Sequence, residues 1–521
     1  MLKKIDFIIS DKKKELLFLI FLIIGITIIM SGLNPIVLKL LIDKGIRAKN
    51  INYFIITSII AMFVFTLGRV ANMFLVFYSR KLKNKLIKTH TNRMLKKYYN
   101  IPYIQVLKKD VGYYSSLIYE EPAEIIENVV TVLTGISRGV FVFIISVSVS
   151  FYLSWKITII LLFIMPILYF LSKKFNSKIT NKSKKEKTSE ADLRENIQKS
   201  IKSYKTVKIY NLFANVKKIF NIKIDKYLDI FYKRVKIQTI FNTLSRIFIS
   251  YQEIAIIISA GYIVMKGEMT MGGFIAYMNA FNMAAQGFRS IVDYIPEYSK
   301  VLGFIERLID YEKMAAFQPS FKNFILDNSD YSFNNISFKY PNEKKNILKE
   351  INLVIKKNKK NLIKGDNGTG KTTIVNLLIG LLKPNKGKIV SENIDNISLT
   401  YIPFNFIEGN LKNNVNYNNL NPKKKNLFHN LIHKFNLKNY INHNPKSLSA
   451  GQKQKFAIIL SLLKDSEIYI YDEPLANIDK DSKNKIIKTI FEYTNSKTIL
   501  VIMHNHEYDN RFDNIINLNL I

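Results

Sequence analysis

Residues 365–372, with the sequence GDNGTGKT, have the types and spacing needed to hold a chain of phosphate groups. Glycines let backbone N–H groups close around phosphate oxygens, the ammonium of Lys371 can reach the terminal phosphates, and the Thr372 hydroxyl can bind Mg²⁺. A strand-like NLIK precedes the loop, and a helix-like, apolar TTIVNLLIGLL overlaps its end. The pattern predicts a P-loop, which by itself leaves kinases, GTPases and helicases open.

Two later stretches could complete that chemistry, LSAGQKQ at 448–454 and IYIYDEP at 468–474. The hydrophobic run that ends in Asp472 predicts a buried strand that delivers a carboxylate to Mg²⁺. The adjacent Glu473 is placed to polarise a water molecule. Each motif alone could be an ordinary turn or the acidic end of a strand. Their order and spacing together argue against that interpretation.

At these residues the chain resembles the ATP-binding cassette family, over essentially its whole length. The Asp of the second stretch follows the Leu of LSAGQ by 24 positions, which is the family's spacing. The resemblance implies ATP and Mg²⁺ as cofactors, Glu473 as the catalytic base and His504 as the switch residue that contacts the γ-phosphate. It also implies that Tyr340 stacks on adenine and that Asp479 is the acidic residue of the D-loop.

The residues that the resemblance assigns to the nucleotide fall into a metal group and an ATP group. The metal contacts are Thr372 and Asp472. The ATP contacts are Tyr340, Gly365, Asp366, Asn367, Gly368, Thr369, Gly370, Lys371, Thr372, Thr373, Ser449, Gly451, Gln452 and Asp479.

Long apolar runs toward the N-terminus predict membrane-spanning helices, on which such a nucleotide site would act. The run at 16–33 approaches the ~20 apolar residues that a helix needs to cross a ~30 Å hydrocarbon layer. Another apolar run follows it instead of a small-residue cleavage site, so a removable signal peptide is the weaker interpretation. Six spans are expected near 15–42, 51–78, 126–152, 156–173, 238–265 and 270–294.

The formal net charge of +37 could by itself indicate a nucleic-acid partner. However, the basic clusters at 11–15, 79–88 and 172–187 lie just beyond the apolar runs, where Lys and Arg set the cytoplasmic side and meet anionic lipid. No aromatic platform for stacking bases accompanies them. We therefore expect a lipid bilayer and no nucleic acid as the partner. The chain has no cysteine, which excludes disulfides and thiolate metal sites.

The expected fold is multi-domain. An all-α six-helix transmembrane exporter domain with cytoplasmic extensions covers 1–312, a linker covers 313–328, and an α/β P-loop ATP-binding cassette domain covers 329–521. Short loops within the three pairs of spans place those loops outside the cell and both termini inside. Polar, irregular sequence marks the linker, and short β-rich runs alternating with helical ones mark the last domain.

This order of domains resembles the half-transporters of the family's exporter branch. The resemblance implies two copies, because ATP then lies between one chain's P-loop and the other chain's LSAGQ. We expect a homodimer, with a heterodimer as the alternative, in a bacterial cytoplasmic (inner) membrane. The expected activity is ATP hydrolysis that drives export or flipping of an amphipathic substrate, a lipid-linked headgroup or a peptide, by alternating access. A multidrug exporter and a non-transporting membrane sensor are the alternatives.

Two polar stripes on apolar helices predict where a substrate binds. Polar residues recur at helical spacing in the fifth and sixth spans, and such residues face a water-filled cavity or one another, because lipid disfavours them. Hydrogen bonding between helices is the other interpretation. Arginines outnumber acids among the spans, which favours an anionic amphipath. The expected cavity residues are Arg69, Arg138, Asn242, Arg246, Glu253, Asn279, Asn282, Gln286 and Arg289.

The chain departs from the family pattern at several places. Phe404 occupies the expected place of a glutamine that senses Mg²⁺ and couples the cassette to the membrane domain, and the segment around it is shortened. Ala450 stands where glycine is usual. Because Glu473 and His504 are both present, we expect an active but slow ATPase with altered coupling.

Overall fold

A computed structural model describes residues 8, 12–108, 111–162, 165–316, 324–326, 330–341, 343, 345–391, 396–503 and 507–519. The chain divides into two compact units. The first contains Met1–Tyr99 and Val111–Met314, and the second contains Asn100–Asp110 and Ala315–Ile521. Most of the predicted linker, 313–328, lies outside the described residues.

The described part of the first unit is helical. Helix α1 is continuous over Lys13–Arg47, with π-helical turns at Ile28–Leu33 and Leu41–Arg47. The side chain of Asn50 accepts a hydrogen bond from the backbone of Tyr53 at 3.0 Å and so caps the start of α2. The other helices of this unit are α2 Ile51–Tyr98, α4 Val111–Leu153, α5 Trp155–Leu162, α6 Met165–Lys202, α7 Tyr204–Ile209, α8 Phe213–Met265 and α9 Met271–Ala316.

Four helices of the described chain, α1, α2, α4 and α8, are long and apolar enough to cross a membrane. The most apolar window of each is only 17–28% buried within the chain, so most of this apolar surface faces outward, as lipid requires. A helical membrane domain is thereby confirmed. The predicted spans 156–173 and 270–294 coincide with α5–α6 and the start of α9, and the count of six spans stays a prediction.

The second unit is an α/β domain, as predicted. Its five-stranded sheet is parallel throughout, with the order β6-β7-β8-β4-β9, and a second sheet has the order β1-β5-β2-β3. The strands are β1 Phe324–Leu326, β2 Tyr331–Phe338, β3 Leu348–Ile355, β4 Lys360–Lys364, β5 Lys386–Ser391, β6 Ile397–Thr400, β7 Ile468–Asp472, β8 Thr498–Ile502 and β9 Asn514–Asn517. The helices are α3 Tyr103–Val106, α10 Lys371–Leu378, α11 Leu411–Asn414, α12 Pro422–Lys434, α13 Ala450–Leu463 and α14 Lys480–Tyr493.

Both faces of the parallel sheet are buried, because successive side chains of a strand point to opposite faces. Leu362 joins one hydrophobic cluster and the next residue, Ile363, joins the other. The register pairs Ile363 with Ile502, and Ile502 with Asp472. The loops that follow β4, β7 and β8 therefore leave the sheet at the same edge.

Candidate functional site

The loop after β4 has the backbone that a phosphate cradle needs. Gly370 has φ +93° and precedes the first residue of α10. The dihedral angle requires glycine there, and a Cβ at this position would also displace the Leu348 side chain, whose Cδ2 would lie 2.5 Å away. The ammonium of Lys371 donates to the carbonyls of Gly365 and Asp366, at 2.8 Å each. It therefore lies inside the loop where phosphate oxygens would bind.

The first turn of α10 meets the end of β7. The Thr372 hydroxyl donates to Asp472 Oδ2 at 3.4 Å, so the hydroxyl and carboxylate predicted to bind metal lie together. Oxygen ligands of this kind suit Mg²⁺, and the pair fits that ion. Glu473 follows in a left-handed conformation, φ +51°, with its N–H bonded to the carbonyl of Ile502 at 3.0 Å. The residue predicted to be the catalytic base is thus held where β7 and β8 end.

Two further hydrogen bonds, both made by the Asp366 backbone, stabilise the rest of the loop. The Thr369 hydroxyl donates to the Asp366 carbonyl at 3.0 Å, and the Asp366 N–H donates to Asn519 Oδ1 at 3.0 Å. Asn367 and Gly368 are exposed, whereas Thr373 is a buried residue of α10.

The predicted signature residues form the start of α13. Ser449 and Gln452 make a reciprocal capping box, in which the Gln452 N–H donates to Ser449 Oγ at 3.2 Å and the Ser449 N–H donates to Gln452 Oε1 at 2.9 Å. A Cβ at Gly451 would lie 2.7 Å from the carbonyl oxygen of Asn477. Gly451 therefore allows the loop before α14 to approach this helix, whereas Ala450, the first residue of α13, is exposed.

Asp479 caps the N-terminus of α14. Its carboxylate accepts from the Ser482 N–H at 2.9 Å and from Lys455 Nζ at 3.2 Å. Hydrogen bonding from Ser482, opposed by desolvation and aided by Lys455, lowers the pKa of Asp479 from 3.8 to about 2. The carboxylate is therefore ionised at neutral pH. Among the described residues, no hydrogen bond or ion pair joins the signature residues or Asp479 to the P-loop of the same chain.

Tyr340 packs at the edge of the second unit's core, with its ring 5.0 Å from that of Phe338. Tyr103 of α3 packs against the same core. Burial, together with the neighbouring phenols of Tyr340 and Tyr401, raises the pKa of Tyr103. The predicted adenine platform is thus an aromatic group near the domain surface. The predicted switch residue, His504, lies outside the described residues.

Phe404, at the expected place of a glutamine, belongs to an aromatic row. Its ring centroid lies 5.4 Å from Tyr401 and 4.9 Å from Phe406, which in turn lies 5.6 Å from Phe456 of α13. A phenyl ring has no oxygen to offer a metal, so any contribution of Phe404 to coupling comes from packing.

The predicted cavity residues do not form a single cluster. Arg138 donates to Asn72 Oδ1 at 3.4 Å, and Arg289 pairs with Asp293 one turn along α9 at 3.5 Å. The other predicted cavity residues are either exposed in the chain or half-buried: Arg69, Asn242, Arg246 and Gln286 in the first group, and Glu253, Asn279 and Asn282 in the second.

Sequence reasoning did not identify two lysines whose polar contacts stabilise the nucleotide site; these lysines are its two supports. Lys364, directly before the P-loop, is only 8% exposed, and its ammonium pairs with Asp509. Lys455 bridges Asp479 and the Ser482 hydroxyl, the latter at 2.9 Å. A lysine directly after the buried apolar pair Leu362 and Ile363 was a signal for the first support. Nothing in the spacing indicated the second.

Comparison with known proteins places both units in one family. The family model for the ABC transporter transmembrane region matches residues 16–285, and a second family model, described as ABC transporter, matches residues 348–476. The chain is similar to the ATP-dependent lipid A-core flippase of Bordetella avium, with 21% identity over 92% of this chain and 85% of the relative. It is also similar to the lipid A-core flippase of a Polaromonas species, with 22% identity over 95% of this chain and 88% of the relative. A Bacillus subtilis relative named "Probable multidrug resistance ABC transporter ATP-binding/permease protein" is 22% identical over 72% of this chain and 68% of the relative.

Proposed function

This chain belongs to the ABC transporter family, and from that premise we propose that two copies of it form an exporter of amphipathic substrates. The chain is an ATP hydrolase coupled to transport, built as a half-transporter with a membrane domain followed by an ATP-binding domain. The single observation that carries the assignment of residues is the meeting of Thr372 with Asp472 beside Glu473. It supports roles for Thr372 and Asp472 as a metal-binding pair, and for Glu473 as a general base, at the end of the phosphate loop.

The roles of these residues follow from their positions. The P-loop N–H groups and Lys371 hold the phosphates, and Thr372 and Asp472 hold Mg²⁺, which stabilises charge on the phosphate oxygens when bound. Glu473 accepts a proton from the attacking water. The start of α13 supplies Ser449 and the Gly451 backbone to the nucleotide.

A second copy is needed because, among the described residues, no hydrogen bond or ion pair joins the signature residues to the P-loop of the same chain. Each site is then completed by the partner's α13. We propose a homodimer, since the chain itself carries both halves of the site.

The substitution Lys371→Ala tests whether ATP closes this dimer, because it removes the charge that holds the terminal phosphates. The purified variant should therefore stay dimeric through its membrane helices but lose ATP-driven closure, measured as cross-linking between cysteines introduced into the two cassettes. Equal ATP-driven cross-linking in wild type and variant would contradict this role.

For the substrate, the lipid A-core flippases among the relatives favour an amphipath that resides in the membrane. The Bacillus subtilis relative supports a multidrug exporter as the second candidate. The basic clusters beside the apolar helices favour a cytoplasmic location for the ATP-binding domain, and the bacterial relatives favour the cytoplasmic membrane.

The test is a screen of purified protein in vesicles, with ATPase stimulation and substrate accumulation measured in the same preparation. Stimulation by amphipathic anions with ATP-dependent movement across the bilayer would support the proposal. Stimulation by cationic drugs alone would favour the multidrug exporter. Wild-type ATP hydrolysis without movement of any tested compound would overturn both.

A further inference from the structure

A cavity of about 340 Å³ lies among helices α1, α2, α4 and α9. Sites for small molecules start at roughly this size. Three cationic side chains, Arg80, Lys83 and Arg138, contribute to its lining, and none of the lining residues is acidic. Only Arg138 among them was predicted from the sequence. Its other polar and aromatic lining residues are Asn72, Ser79, Thr131, Thr134 and Tyr294.

The positive charge of this cavity is only partly neutralised. Glu127, which lies outside the lining, pairs with both Arg80 and Lys83, the latter at 2.9 Å. Lys83 also donates to the Thr131 hydroxyl at 2.9 Å. Arg138 contacts no carboxylate among the described residues and donates only to Asn72. Three cations and one carboxylate leave a local charge of about +2, which an anion would balance.

The cations occupy two depths along the helices. Arg138 lies 15 residues before the outer end of α4 at Leu153, or about 22 Å, which is within a ~30 Å hydrocarbon layer. Lys83 lies 32 residues after the outer end of α2 at Ile51, or about 48 Å, at the cytoplasmic headgroup level. The cavity therefore extends from the polar layer into the apolar layer, where an unpaired arginine is costly.

The remaining lining gives the cavity an apolar side. Its apolar lining residues are Leu19 and Ile23 of α1 and Leu75 and Val76 of α2. The ring of Tyr294 lies against Gly135, where a Cβ would come within 2.2 Å of the ring. An anionic group and an apolar chain could therefore be held side by side.

We propose that this cavity binds the phosphate-bearing headgroup of a lipid-like substrate that enters from the cytoplasmic leaflet, with Lys83 and Arg138 as its main ligands. The inference rests on the proposed export function and narrows its substrate class to phosphorylated amphipaths. A phosphate monoester carries a charge of about −1.5 to −2 at neutral pH, which matches the excess of positive charge. Arginine binds phosphate oxygens bidentately and lysine binds them as a point charge.

Binding can be measured at the cavity itself, independently of transport. The chain has no native cysteine, so Thr134→Cys gives a single thiol at the lining. In phosphatidylcholine nanodiscs, added phosphatidic acid should slow labelling of this thiol by a charged maleimide. Diacylglycerol with the same chains should not, and inorganic phosphate should protect only at far higher concentration. If inorganic phosphate protects the thiol at the same concentration as phosphatidic acid, the cavity binds free phosphate and the proposal of a lipid ligand is wrong.

Three substitutions then test the ligands in the Thr134→Cys background. Arg138→Ala and Lys83→Ala should each raise the half-protecting concentration of phosphatidic acid by about tenfold or more, because each removes a charge-assisted contact. Glu127→Gln should lower it, because it removes the carboxylate that competes with the phosphate. Lys81→Ala is the matched control, an exposed lysine of α2 that does not line the cavity, and should leave the concentration unchanged.

The outcomes separate this inference from the export function. Unchanged protection in the Arg138→Ala and Lys83→Ala variants, or weaker protection in Glu127→Gln, would overturn the cavity assignment whether or not the protein transports. ATP-dependent transport that is insensitive to these variants would leave the export function standing and remove the cavity from it. Protection in a protein that transports nothing would leave the site and overturn the function.

Discussion

The candidate nucleotide site and the proposed cavity of the membrane domain offer different groups to an anion. At the nucleotide site, short loops at one edge of a parallel sheet supply backbone N–H groups, helix N-termini and left-handed residues such as Gly370 and Glu473. In the cavity, helical backbone is already paired with itself, so the charge comes only from side chains of helices far apart in the sequence. A loop site appears as a contiguous motif, whereas a site between long helices has no motif.

The largest effect is expected when the predicted general base of the nucleotide site is removed. Glu473→Gln keeps the shape of the loop after β7 but removes the base, so ATP binding should persist while turnover falls by ~10²–10⁴-fold. The measurement is steady-state ATPase activity together with nucleotide binding in the full-length protein. Hydrolysis at the wild-type rate would show that the motif was misread. Lys81→Ala is a suitable control for surface changes.

Two adjacent residues of one motif should respond differently. Gly451→Ala places a methyl group 2.7 Å from the Asn477 carbonyl, and overpacking of this kind typically costs ~1–3 kcal/mol. The loop before α14 should shift, and ATPase activity should fall by roughly tenfold. Ala450→Gly, its matched control, creates no contact and should cost well under about 1 kcal/mol of stability. Equal activity of the two variants would mean that the helix–loop contact is unimportant.

The pair of Lys364 and Asp509 tests whether the nucleotide site also depends on contacts between distant residues. Lys364→Met should destabilise the protein by about 1–3 kcal/mol, less than a fully buried pair would lose, because Asp509 keeps some contact with solvent. The double variant Lys364→Met, Asp509→Asn should recover part of that loss. Thermal unfolding of these two variants and of the single variant Asp509→Asn gives the coupling energy. Additive losses would show that the pair contributes nothing of its own.

The smallest effect is expected at Asp479. Its pKa is lowered from 3.8 to about 2, so its charge stabilises the folded state above about pH 4, and that stability is lost as the pH falls toward about 2. Asp479→Asn keeps a capping oxygen and loses the charge. Its melting temperature should therefore be slightly lower than that of wild type at neutral pH, with the gap closing in acid. A gap that widens in acid would contradict the assignment.

The nucleotide site was predictable because each of its parts is local. The P-loop, the strand ending in Asp472 and the capping box of Ser449 are each set by residues a few positions apart, since turns, strand ends and helix caps depend on nearby backbone. The supports by Lys364 and Lys455 were not predictable, because their partners lie 145 and 24 positions away.

The sequence alone determined the class of the protein, since apolar length, charge placement and ordered motifs need no tertiary information. It did not determine which charges gather in the membrane domain. Arg80 and Lys83 were assigned to a cytoplasmic basic cluster, yet they line a cavity with Arg138, which is more than fifty positions away. Helical periodicity gives each residue a face of its own helix, but the azimuth at which long helices pack decides which faces meet. Only the tertiary structure supplies that angle.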